Sequence, residues 1–167
     1  MKFSAKHDSP QMDVDELGSL IVNAARLLRS AFERRIAQTG LGLTPGEARA
    51  LINIAETDGS RQLDIAYRMG VEPMTLCAYL DKLQALGLIE RQQCSADRRA
   101  KRINLTPASS SMIVAIRREL NEILAKGTEG MGDEESSALK QALTRFNANL
   151  QACNPSPASQ AEIDDIR

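Results

Sequence analysis

Apolar residues recur every three or four positions from residue 14 to about residue 38: Leu17, Leu20, Ile21, Ala24, Ala25, Leu28, Ala31, Phe32 and Ile36. This spacing predicts one amphipathic helix with Arg26, Arg29, Arg34 and Arg35 between its apolar residues, stopped by Gly40 and Gly42. Thr44-Pro45-Gly46-Glu47 predicts the start of the next helix. Thr can accept from the amide three residues on, Glu can reach back, and Pro loses nothing at the first helical position. That helix carries Ala48, Leu51, Ile52 and Ile54 and ends near Asp58-Gly59. A short helix over residues 62–69 (Leu63, Ile65, Ala66, Met69) ends at Gly70, and Pro73 opens another with a stripe of Leu76, Leu80, Leu83 and Leu86, ended by Gly87. Two short helices joined by a few residues around a glycine form a helix-turn-helix pattern.

Residues 88–94 and 101–105 then predict two short strands around a polar tip, Ser95-Ala96-Asp97-Arg98-Arg99-Ala100. A basic hairpin directly after the second short helix is the wing of a winged helix. From Thr106-Pro107 a long helix restarts, with Met112, Ile113, Ile116, Leu120, Ile123 and Leu124 on one side, and it fades at residues 127–132. Asp133 is expected to cap a last helix carrying Leu139, Ala142, Leu143, Phe146 and Leu150. The expected fold is mainly α, an α+β winged helix-turn-helix. Residues 1–13 form a flexible leader, 14–43 and 107–151 supply dimerisation helices, 44–106 form the DNA-binding domain, and 152–167 are a disordered tail. The terminal helices carry more apolar surface than a small winged core can cover, and two-fold pairing is the commonest way to bury it. A homodimer with two DNA-binding heads is therefore expected.

Composition narrows the function classes. The chain has 167 residues, 43% apolar and 26% charged, with no Trp and two Tyr, so it lacks aromatic platforms for stacking single-stranded bases. Three cysteines at wide spacing and the single His7 provide no zinc, disulfide or other metal framework. No phosphate loop or carboxylate cluster points to an enzyme or a cofactor. The first ten residues contain no apolar run, so neither a signal peptide nor a membrane partner is expected, and the compartment is the cytoplasm, at the nucleoid. Net charge is −1, which by itself argues against DNA. The distribution argues for it. Residues 88–102 hold five basic residues against two acids, a local +3, whereas residues from 103 onward hold six against nine, a local −3. A duplex senses potential within a Debye length of ~8–10 Å, not the chain total.

The residues now resemble a known family. Gln62-Leu63-Asp64-Ile65-Ala66-Tyr67-Arg68-Met69-Gly70 is similar to the Q-x-x-L/I-A-x-x-L/M-G helix of the MarR family. Leu80-Asp81-Lys82-Leu83 followed by Gly87-Leu88-Ile89-Glu90-Arg91 resembles its L-D-x-L…G-L-I-x-R run. Asp97-Arg98-Arg99-Ala100-Lys101-Arg102-Ile103 with Leu105-Thr106 resembles the wing of its SlyA-like branch. The resemblance implies a dimeric transcription factor, often answering small aromatic carboxylates or oxidants, that binds a pseudo-palindromic double-stranded operator. It assigns base reading in the major groove to Pro73, Met74, Thr75, Cys77, Ala78, Tyr79 and Lys82. It also implies that Asp97 braces Arg99 in the adjacent minor groove, while Arg98, Lys101 and Arg102 contact phosphates. A solvated charged hairpin is the plain alternative. Ala78 and Cys77 depart from the family, which often has Arg and Ser or Thr there, so the family's operator does not transfer.

Other residues carry two readings each. Cys77, near a helix N-terminus, is either a thiol switch or a small residue in place of Thr, and Cys94 is a packing residue. Redox-sensing relatives commonly keep their cysteine in the first helix, which has none here. Arg26 and Arg29, one turn apart, either pair with an effector carboxylate or stay solvated or bridge to Glu33. Thr44 either opens an anion-binding helix end or is only a cap. The function alternative to an operator-binding regulator is a ligand- or protein-binding winged module with weak or non-specific DNA binding.

Overall fold

The expected order of helices is realised, each following its apolar stripe. The computed structural model describes residues 14–93 and 101–154. Within them the chain forms α1 (Val14–Gln38), α2 (Pro45–Glu56), β1 (Ser60–Arg61), α3 (Gln62–Met69), α4 (Pro73–Ala85), β2 (Ile89–Gln93), β3 (Lys101–Leu105), α5 (Ser109–Gly127) and α6 (Asp133–Cys153). This is a mainly α winged helix-turn-helix fold. The expected leader, the hairpin tip with Cys94, and the tail from residue 155 lie outside the described residues.

The α2 start forms the full reciprocal box. Glu47 N–H donates to Thr44 Oγ1 at 3.3 Å, and Thr44 N–H donates to Glu47 Oε2 at 2.7 Å. Helix α3 ends because Gly70 takes φ 61° and ψ 42°, a left-handed conformation costly for any residue with a Cβ. Three residues later Pro73 occupies the first turn of α4, fixing the tight link between the two helices.

The wing strands pair antiparallel, Ile89 opposite Leu105 and Gln93 opposite Lys101. A third strand, β1, was not anticipated. It adds to the outer edge of β3 to give the order β1-β3-β2, with Ser60 opposite Ile103. Two residues carry no alternation to detect. Their pairing is supported instead by the turn before them: Gly59 N–H donates to Ile103 O at 2.9 Å, and Leu105 N–H donates to Asp58 Oδ1 at 2.8 Å.

The core lies where α2, α3, α4 and the sheet meet. Leu51, Ile54, Ile65, Leu76, Leu80, Leu83, Ile89 and Ile103 are fully buried there, each stabilising the fold by about 1.5–3 kcal/mol. Helix α1 adds the buried Phe32 and Ile36 to it, and α5 adds the buried Ile113 and Ile116 with the partly buried Met112, Leu120 and Ile123 packed alongside. Between α1 and α5 the buried Glu119 carboxylate accepts from Arg35 Nε at 2.9 Å and from Arg118 Nη2 at 3.2 Å, and Arg35 also pairs with Glu122. Burial raises the Glu119 pKa, but the hydrogen bonds from Arg118 and Arg35 outweigh it and hold the carboxyl below its usual range.

Three boundaries differ from expectation. Helix α5 starts at Ser109, because Thr106-Pro107-Ala108 forms a turn in which Thr106 O accepts from Ser109 N–H at 3.1 Å and Thr106 Oγ1 donates to Gly87 O at 2.6 Å. Asp133 is the first residue of α6, not its cap. Gly132 caps it, its N–H held by the Glu135 carboxylate at 2.9 Å. Helix α6 also runs two residues past 151, ending where Asn154 N–H returns to Leu150 O at 3.0 Å.

Candidate DNA interface

Helix α4 divides by its own periodicity. Leu76, Leu80 and Leu83 point into the core, which turns Pro73, Met74, Thr75, Ala78 and Lys82 to solvent. Met74 is the most exposed large apolar residue among those described, at 81%. An α-helix with an exposed face fits the width of a major groove.

Cys77 and Tyr79 sit differently from the outward position the sequence suggests. Each is one step from a leucine of the buried stripe, and both are half-buried. Tyr79 packs against the core. Its ring lies on Gly46 at the start of α2, where an added Cβ would come within 2.4 Å of Tyr79 Cζ. Tyr79 therefore ties α4 to α2, and its ring is directed away from the outward face. Cys153 is exposed at the end of α6.

The wing strands begin directly beside α4. On β2, Ile89 and Arg91 face inward, while Glu90 and Gln92 share the outer side, joined by a 2.7 Å hydrogen bond. Arg91 Nη1 donates to Asp81 Oδ1 at 2.6 Å, and Nη2 to the Cys77 carbonyl at 3.3 Å. Its charge is thus neutralised by α4, and the positive balance counted along the hairpin rests on the other arginines and Lys101. Lys101 is exposed, and Arg102 reaches across to Gly59 O at 2.8 Å. Asp97, Arg98 and Arg99 lie outside the described residues.

Of the effector candidates, Arg26 donates to Asn23 Oδ1 at 2.7 Å on the exposed side of α1. The Thr44 hydroxyl and amide are both engaged with Glu47, whose carboxylate already occupies the positive end of α2. Arg49, on α2, was not anticipated from the sequence. This residue is half-buried, donates to Met69 O at 3.1 Å, and has its pKa lowered by burial and then by the charge of Arg29, with Glu33 opposing. A lone arginine inside the apolar run from Ala48 to Ile54 was the available signal. Arg29 thus stands close enough to Arg49 for its charge to act there. No described helix is long and apolar enough to cross a membrane.

Comparisons with known proteins bear on this arrangement. The MarR family model matches residues 43–101, from the start of α2 into β3. The solved transcriptional regulator PA3341 is 31% identical, with 81% of this chain and 98% of that one covered and a TM-score of 0.67. The transcriptional regulator SlyA is 27% identical over 81% of this chain and 94% of its own, TM-score 0.66. A MarR-family regulator from Silicibacter pomeroyi is 27% identical over 78% and 86%, TM-score 0.67. The chain thus belongs to the MarR family of transcriptional regulators.

Proposed function

We propose that the chain acts as a homodimer that binds a pseudo-palindromic operator in double-stranded DNA, one α4 in each of two major grooves and each wing over the neighbouring minor groove. The observation that carries this reading is the outward face of Pro73, Met74, Thr75, Ala78 and Lys82 standing directly beside the β2–β3 hairpin. In this reading Arg99, braced by Asp97, enters the minor groove, and Arg98, Lys101 and Arg102 hold phosphates. The wing motif and the likeness to SlyA favour the SlyA-like branch. Residues 44–106 are the reading head, and residues 14–43 and 107–151 pair the protomers. Half-sites then lie ~34–36 Å apart, one helical turn. Footprinting on duplexes selected from genomic DNA tests this: a bounded, symmetric footprint is expected, and uniform weak protection would favour a module without operator specificity. Arg99→Ala should weaken binding to every duplex and lower the salt slope by about 0.9 for each phosphate the protein no longer neutralises; unchanged affinity would end the wing assignment.

The effector reading is supported by Arg29 and Arg49. Arg49 is half-buried, and the charge of the exposed Arg29 acts on it in the same sense as its burial, so an anion between them would relieve Arg49; a guanidinium binds a carboxylate through two parallel hydrogen bonds. A small aromatic carboxylate fits that chemistry. Calorimetric titration with benzoate should give a signal that Arg29→Ala and Arg49→Ala each abolish and Arg26→Ala leaves intact.

A further inference from the structure

Arg91 occupies a costly position for a charged residue. It follows Ile89 on the inward face of β2, its side chain is 16% exposed, and its Nε is buried without a partner among the described residues. An apolar side chain would fill that place without desolvating a charge. The guanidinium instead spans from the sheet to α4, where it takes two acceptors one helical turn apart, the Asp81 carboxylate and the Cys77 carbonyl. Two acceptors on one helix, bonded by one planar fork from one strand residue, fix both the distance and the rotation of that helix relative to the strand. Asp81 itself is 62% exposed on its side chain, so an ion pair there adds little to stability.

The two elements so joined are the helix directed at the major groove and the strand that leads into the wing. We propose that Asp81 and Arg91 are positioning residues: their bridge sets the angle between recognition helix and wing, and through it the ability to engage two neighbouring grooves at once. The proposal rests on the operator reading above and adds to it what lets helix and wing engage simultaneously. Non-specific binding, which needs only loose attraction to phosphates, is not tied to that angle.

The test is Asp81→Asn, which removes the carboxylate charge while leaving every buried apolar residue in place, with Arg91→Lys as the second variant because an ammonium lacks the fork. Each is compared with wild type for affinity to a selected operator and to a random duplex, for melting temperature, and by hydroxyl-radical footprinting. The expected result is a roughly tenfold or larger fall in the ratio of specific to random affinity, within the range that one base contact contributes. Random-duplex affinity stays the same or rises, and protection disappears at either the wing or the helix while the other remains. A role confined to holding the fold together would lower both affinities with the melting temperature and fade the footprint uniformly. That outcome overturns the proposal, as does an undiminished ratio in both variants. Wild-type protein without preference for any selected site would overturn the operator reading and this proposal with it, whereas a wild-type preference retained in the variants overturns this proposal alone.

Discussion

Ala78 stands in the middle of the outward face of α4, where its methyl group can pack on a thymine methyl but has no hydrogen bond to offer. In the proposed operator complex direct reading at that position is therefore weak, and sequence preference would come from Thr75, from Met74, or from the shape of the duplex. Ala78→Arg should create a guanine preference worth about 1–3 kcal/mol at one position of each half-site. Competition binding against a set of single-base operator variants would reveal it, and a flat profile would show that residue 78 does not face base edges. Tyr79 makes the opposite case, a residue that the helix turns inward. Gly46→Ala places a methyl group against its ring, so the ring must shift from its place on α2. Overpacking of this kind costs about 1–3 kcal/mol, so a fall of several degrees in melting temperature is expected. A melting temperature equal to wild type would mean that the ring does not lie on Gly46.

Helices were legible in the sequence because their signals are redundant. Helix α2 has a box, a first-turn proline and an apolar stripe, and all three agree. Strand β1 was not legible, since Ser60 and Arg61 become a strand only because β3 offers them an edge. Arg91 illustrates a related limit: counting charge along the hairpin credits it to DNA, and only the fold brings Asp81 alongside. The same holds for the link between α1 and α5. Arg35 and Glu119 are 84 residues apart, and nothing local pairs them. That link predicts a pH dependence whose sign follows from the carboxyl being held below its usual range in the folded chain. Its contribution is complete above the unfolded value of about 4.3 and is lost as pH falls through the lower folded value. Melting temperature should therefore drop on acidification below about pH 4.3, and Glu119→Gln should flatten that part of the curve. If wild type and Glu119→Gln lose stability in parallel, the carboxylate is not what holds the two helices.

The amount of apolar surface that one chain leaves uncovered decides its assembly. Helix α1 exposes Leu20 and Leu27, α5 exposes Leu124, and α6, with Leu139, Leu143, Phe146 and Leu150 in a row, buries none of its described residues. A groove of about 790 Å³ runs between α1 and α5, walled by Leu27, Leu28, Ile123, Leu124 and Leu139. Helix α6 is nevertheless held at its far end, where the Tyr67 hydroxyl of α3 donates to the Asn154 carbonyl at 2.7 Å. A contiguous apolar face of this extent on a chain with few aromatics is the mark of a protein interface. In the proposed homodimer a second copy would cover this face by two-fold symmetry, with α6 as part of the pairing surface. Leu143→Glu and Phe146→Glu together place two charges on that face without touching the core of the reading head, so the head should melt as in wild type. Sedimentation equilibrium should then give one chain mass in place of two. Binding to a full operator should fall to the level of a single half-site, because the second head loses its high local concentration. A double variant that still sediments at two chain masses would mean that protomers pair elsewhere, and the role assigned to α6 would have to be given up.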